Sequence, residues 1–262
     1  MPLLLSIASE ADMDELTKTQ FAAFYPHEVF HDILWPGPPT SENLAKSKNR
    51  QLAWMAADGH STYLKVTDTG TGEIVAGAKW CVYDKDPNRS AVLTVDWYGD
   101  EGSEDRAYAQ YLIDEFNGRR TERMKGSYCL LDICFCNPTH HRRGAGAQLV
   151  KWGCDRADEM GVQAFVEATL TGRRLYEKHG FVVTEAVDLK AERWPDRPLI
   201  QYLFMHRPAR GKGNGKVTED DTNGVNDLKS VERVNEANGV ADVDVLVNGN
   251  GTNGVYDADG HA

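Results

Sequence analysis

No stretch of this 262-residue chain approaches the roughly 20 consecutive apolar residues that span a bilayer. Met1-Pro2-Leu3-Leu4-Leu5-Ser6-Ile7 also lacks the basic start and extended apolar core of a signal peptide. Basic charge is in short supply, with 29 Lys and Arg against 40 Asp and Glu and a formal net charge of −11. That balance argues against a general nucleic-acid or anionic-membrane binder. Cysteine is sparse and odd in number, five in all, with Cys129, Cys134 and Cys136 in or beside one apolar stretch. These read as reduced core thiols rather than a disulfide framework, and two cysteines pointing the same way along a strand make no zinc ligand set. The expectation is a cytoplasmic protein, the nucleus also open, with no metal, no nucleic-acid partner and no membrane contact.

Aromatic residues all but vanish beyond Arg210, where Gly, Asn, Asp and Val recur in loose Asn-Gly repeats (Asn223-Gly224, Asn238-Gly239, Asn253-Gly254). Such a segment buries too little apolar surface to offset its ordering entropy. The chain therefore divides into one domain over residues 1–208 and an acidic, disordered tail over 209–262. With 41% apolar residues, the first part has enough material for one sizeable core.

Leu3 to Ile7 reads as a first strand, and Met13, Leu16, Phe21 and Phe24 recur at helical spacing until Pro26. His27 to Pro39 reads as a loop carrying Phe30, His31 and Trp35. Thr40 or Ser41 then caps a helix running to Gly59. Thr62 to Asp68 and Ile74 to Tyr83 form a hairpin about Thr69-Gly70-Thr71-Gly72. Asp84 to Asp105 reads as an insertion that covers the site, Glu104 to Met124 as an amphipathic helix, and Phe181 to Leu189 and Ile200 to Met205 as the last strands.

Function is read between Leu130 and Phe181. Leu130-Leu131-Asp132-Ile133-Cys134-Phe135-Cys136 has the length and composition of a strand and ends at Asn137-Pro138. A glycine turn, Arg143-Gly144-Ala145-Gly146, then opens a helix that stops at Gly161. A helix springing from such a turn presents unpaired N–H groups and the positive end of its dipole, which is a phosphate site, and Arg142 and Arg143 add positive charge. A dinucleotide fingerprint would need a third glycine where Leu149 stands, and a Walker loop would need Gly-Lys-Ser/Thr, which is missing.

The order strand, Pro138, x, x, His141, x, x, Gly144, x, Gly146, helix resembles motif A of the GNAT acetyltransferases, Gln/Arg-x-x-Gly-x-Gly/Ala, with His141 in place of the usual Gln or Arg. Phe165-Val166-Glu167-Ala168-Thr169 followed by Gly172 and Leu175-Tyr176-Glu177-Lys178-His179-Gly180-Phe181 resembles motif B of the same family. The wording is similar to a branch common in filamentous fungi. The resemblance covers Leu3 to about Arg207. It implies an α+β fold with a mixed, mostly antiparallel central sheet of six to seven strands, helices on both faces, and strands splayed at an acetyl-CoA cleft. It further implies that Cys134, Phe135, Cys136, His141, Arg142, Arg143, Gly144, Ala145, Gly146, Ala147, Thr169, Gly172 and Tyr176 contact acetyl-CoA, and that the loop from His27 to Pro39 lines the acceptor pocket.

Acetyl transfer to an amine needs a bound thioester, a neutral amine, a stabilised oxyanion and a proton for the leaving thiolate. An amine of pKa about 10.4 is almost wholly charged at pH 7, so a base is useful. Asp132, inside an apolar strand and sharing parity with Cys134 and Cys136, is expected to have a raised pKa and to act as that base. Glu167 is the competing carboxylate, with Arg173 or Arg174 as partners if its role is structural. Backbone N–H groups near Phe135 and Cys136 are expected to polarise the thioester carbonyl. Tyr176 matches the general acid of the family.

The expected activity is transfer from acetyl-CoA to a primary amine of a small molecule, such as a polyamine, amino sugar or metabolite amine, by direct attack in a ternary complex. A non-catalytic acyl-CoA-binding protein and a protein-lysine acetyltransferase are the alternatives, and a monomer or homodimer is expected.

Overall fold

The computed structural model describes residues 2–87 and 93–210. The tail expected from residue 209 lies almost entirely outside the described residues, as does part of the insertion after Asp84.

Seven strands form one sheet: β1 (Leu3–Ile7), β2 (Ser61–Asp68), β3 (Ile74–Tyr83), β4 (Tyr128–Cys136), β5 (Gln163–Ala168), β6 (Val182–Leu189) and β7 (Ile200–Arg207). Their spatial order is β1-β2-β3-β4-β5-β7-β6. Every neighbouring pair is antiparallel except β4 and β5, which run parallel because α5 (Ala145–Met160) crosses over between them. The expected α+β architecture is thus observed.

Helices cover both faces. On one lie α5 and α6 (Arg173–Lys178), with Leu149, Val150, Cys154 and Tyr176 packed over Leu64, Trp80 and Leu131. Trp80 is fully buried, its indole N–H donates to Leu149 C=O at 3.0 Å, and its ring lies where a side chain at residue 153 would be. A Cβ on Gly153 would stand 2.1 Å from that ring, so glycine is required there for close helix-sheet approach.

The other face carries α1 (Met13–Phe24), α2 (Val29–Leu34), α3 (Ser41–Ala57) and α4 (Glu104–Arg123). Thr40 and Ser103 cap α3 and α4 as their side-chain oxygens accept from Asn43 N–H and Arg106 N–H, each at 3.2 Å. α2 was expected as loop. Its six residues are too few to show a period, and it is held by burial of His31 and Ile33 instead. Among the described residues no helix is long and apolar enough to cross a membrane.

Two irregularities shape the middle of the sheet. β4 and β5 pair only from Tyr128↔Gln163 to Leu131↔Val166, after which they separate. In β4, Lys79 faces Ile133 while Trp80 faces Leu131, so Asp132 is the extra residue of a β-bulge. The bulge breaks the alternation of side chains, which corrects the expected parity. Asp132 turns to the α4 face with Lys79, whereas Cys134 and Cys136 stay on the α5 face opposite Ala78 and Ala76.

Candidate active site

The glycine turn has the geometry its sequence implies. A 3-10 turn over Pro138–His140 leads into Arg142 at φ 62° and Gly144 at φ 90°, and α5 starts at Ala145. Nothing lies within 4 Å of a Cβ built on Gly144, so the space over the helix end is open. The first N–H groups of α5 have no acceptor within the helix and point there.

Arg142 is exposed and pairs with no carboxylate among the described residues. Arg143 is engaged elsewhere: its guanidinium donates to Asp68 and to His140 Nδ1, both at 2.7 Å, which pins the turn to the end of β2. His141 Nε2–H donates to Cys136 C=O at 3.1 Å. It ties the turn to the strand end. Ala145 and Gly146 are buried in the first turn, and Ala147 is half-buried.

The gap between β4 and β5 supplies the second part. Asn137 N–H donates to Val75 C=O, so alternate groups from Phe135 point to β3. Those of Cys136 and Cys134 point the other way, into the gap. Of the N–H groups near Phe135 and Cys136, those that face the gap belong to Cys134 and Cys136; Phe135 buries its ring against α1. Cys134 lines the cavity, but burial pushes its thiol up to about 12, so it offers no thiolate.

At the mouth of the gap, the first residue past the last pair on each strand is a carboxylate. Arg120 from α4 bridges them, with Nη1 to Asp132 at 2.9 Å and Nε and Nη2 to Glu167 at 2.8 and 3.0 Å. Lys79 Nζ adds a bond to Asp132 at 3.0 Å. Burial alone would raise the Asp132 carboxyl, but the Lys79 ammonium and Arg120 guanidinium outweigh it and hold the pKa well below the ordinary carboxylate range. The expectation of a raised pKa at Asp132 is overturned, and with it the reason for making this residue the base. Glu167 pairs with Arg120 rather than with Arg173, which pairs with Glu177 at 2.6 Å.

Tyr176 lies on α6 over the gap and is 6% exposed. Burial, and then the neighbouring Cys134, push its phenol well above its ordinary value, so it is fully protonated at neutral pH. Thr169 Oγ1 accepts from Gly172 N–H at 3.2 Å and so begins the turn into α6. A Cβ on Gly172 would meet the Tyr176 ring at 3.0 Å, which sets how closely the ring can sit.

One cavity of about 450 Å³ joins these groups. It runs along Cys134, Thr169, Gly172 and Tyr176 at the gap, past Asp132 and Glu167, to walls of Phe30, His31, Trp35, Trp54 and Phe116. Leu93, from the described part of the insertion, also borders it, and Trp97 Nε1–H donates to Ile33 C=O at 2.9 Å.

Glu28 was missed by the sequence. It caps α2, accepting from Phe30 N–H at 3.4 Å, lines the cavity, and has no cationic partner among the described residues. Burial, reinforced by Asp32, raises its pKa to about 7. Lys79 could have been noticed as the lone charge within Ile74–Tyr83. Arg120 is indistinguishable by sequence from Arg119 and Arg123.

Three observations fit acetyl-CoA: the open helix end beside exposed Arg142, the gap with N–H groups directed into it, and the cavity continuing beyond the gap. Fold and site together define an acyl-CoA-dependent transferase. The sequence profile of the GNAT acetyltransferase family matches residues 27–181, more than half of the chain, and the chain belongs to that family. It is an acetyl-CoA-dependent N-acyltransferase with acetyl-CoA as its co-substrate.

Among solved structures it is similar to arylalkylamine N-acetyltransferase 2 from Aedes aegypti (13% identity, TM-score 0.60, covering 80% of this chain and 100% of the other). It is also similar to a Drosophila melanogaster polyamine N-acetyltransferase (16%, 0.56, 79% and 100%) and to a histone acetyltransferase HPA2-related protein from Corynebacterium glutamicum (19%, 0.53, 82% and 100%). At these identities the likeness is one of fold. No curated protein sequence matches the chain significantly.

Proposed function

We propose that the protein acetylates the primary amine of a small molecule by direct attack within a ternary complex. The observation that carries this reading is the single cavity containing Glu28, Cys134 and Tyr176. A chamber walled by aromatic rings supports a small acceptor over a lysine presented by a folded protein. The N-terminus of α5 and Arg142 hold the diphosphate, with Gly144, Ala145, Gly146 and Ala147 supplying backbone and His141 and Arg143 bracing the turn.

Glu28 takes a proton from the incoming ammonium, and the freed nitrogen attacks the thioester carbon. N–H groups of Cys134 and Cys136 face the oxygen as it gains charge. As the C–S bond breaks, Tyr176 gives its proton to the sulfur and regains one from the nitrogen that has become an amide. Burial makes the phenol a weak acid, but the thiolate forms in the same closed space and is also poorly solvated. Asp132 and Glu167 serve as the neutralised wall of the gap.

The test is acetylation of a panel of amines by the full chain and by Tyr176→Phe. Wild-type turnover is expected, with kcat in the variant lowered about 10²-fold and the KM for acetyl-CoA nearly unchanged. An unaltered kcat would reduce Tyr176 to packing.

A further inference from the structure

We infer that the acceptor is a monoamine whose short chain ends in an aromatic ring, and that the ring seats among Phe30, Trp54 and Phe116. This rests on the proposed acetylation reaction and decides between acceptor classes that it leaves open.

The three side chains come from α2, α3 and α4, all are partly exposed, and all border the cavity. Phe30 and Phe116 lie 4.5 Å apart, centroid to centroid, and Trp54 stands edge-on to Trp35 at 6.3 Å. Partly exposed rings facing the cavity are apolar surface that a ligand ring would remove from water.

An aromatic wall can also hold a second ammonium, as in a polyamine. The charges around this wall oppose that. The Arg50 guanidinium already lies over Trp97, Trp54 and Trp35 at 4.7, 5.4 and 6.0 Å, and Arg120 lies over Phe116 at 4.5 Å. A distal ammonium at Trp54 would join the Arg50 guanidinium, which pairs with no carboxylate among the described residues. The two carboxylates nearest the gap offer it no anion, because Asp132 and Glu167 are bound by Lys79 and Arg120; Asp58, whose Oδ1 accepts from His60 N–H at 3.0 Å, pairs with no cation among the described residues. Glu28 and Asp58 are the wall carboxyls without a cation among the described residues, and Glu28 serves the reacting amine. A partly exposed aromatic wall that already holds the Arg50 guanidinium matches a ring better than a second ammonium.

The experiment compares 2-phenylethylamine, n-hexylamine and spermidine as acceptors for the full chain. A kcat/KM at least tenfold higher for 2-phenylethylamine than for either other amine is expected. Trp54→Leu and, separately, Phe30→Leu should raise its KM several-fold while leaving the KM for n-hexylamine and for acetyl-CoA in place. Spermidine or n-hexylamine serving equally well would overturn the aromatic assignment and leave the acetylation reading standing, as would variants that move all three KM values together. If acetyl-CoA binds and no amine is acetylated, the acetylation reading fails. Titration of tryptophan fluorescence then decides the wall: saturation by 2-phenylethylamine alone supports it, and any other pattern overturns it.

Discussion

With a pKa near 7, Glu28 is about half-ionised at neutral pH and can both receive and release a proton within one turnover. Its role predicts a rise of kcat/KM with pH through about 7 that is absent in Glu28→Gln, whose rate should fall by a factor on the order of 10²–10³. The same shift has a consequence for stability. The native carboxyl holds its proton more tightly than the unfolded chain, from an ordinary 4.5 up to about 7, so stability falls as pH rises through that window and stays low above it. Glu28→Gln should therefore melt higher than wild type at pH 8, by about 1–3 kcal/mol in stability, and equally at pH 4. A variant that melts lower at pH 8 would mean that Glu28 is paired and ionised in the native state. Asp132 has the opposite sign. Its two cations keep it ionised, so its contribution is present above the ordinary carboxylate pKa and lost only in strong acid.

At the scale of elements, what matters is where β4 and β5 stop pairing. Continuing the pair would bring Asp132 and Glu167 side by side, and Arg120 lies between them like a wedge. Arg120→Met should destabilise the fold by about 3–5 kcal/mol, since it strands buried Glu167 and leaves Asp132 to Lys79 alone. The double change Arg120→Met, Glu167→Gln removes the stranded charge, leaves the Lys79–Asp132 pair in place and should recover most of that stability. If the wedge positions the strands, its KM for acetyl-CoA should remain at least tenfold raised; full recovery of KM would make Arg120 a counter-ion only. The helix end poses a separate question. Gly146→Asp places a bulky anion in the first turn of α5 and should abolish binding of CoA in calorimetry, whereas retained affinity in a folded variant would move the diphosphate elsewhere. The strand, turn and helix here were legible from residues alone, because a glycine turn, an apolar run and a capping glycine are local signals. The bulge was not, since one extra residue in β4 is defined only against its partner β3.

For the whole molecule, a ligand that binds the native state alone must raise its melting temperature. Acetyl-CoA and CoA should each produce a clear rise and NAD none, because the turn lacks a dinucleotide fingerprint; a rise with NAD of the same size would contradict the shape of the site. The amino-acid sequence by itself determined the strands, the long helices, the glycine turn that opens α5 and the family, since each is written in neighbouring residues or in a motif of fixed spacing. Only the tertiary structure decided the chemistry of the carboxylates. Asp132 looked like a buried base until Lys79 and Arg120, 53 and 12 residues away along the chain, were found bonded to it. Glu28 looked like a loop residue until helices from three parts of the chain closed an aromatic chamber around it. A pKa depends on every charge and every layer of solvent within a few ångströms, and those neighbours are chosen by the fold.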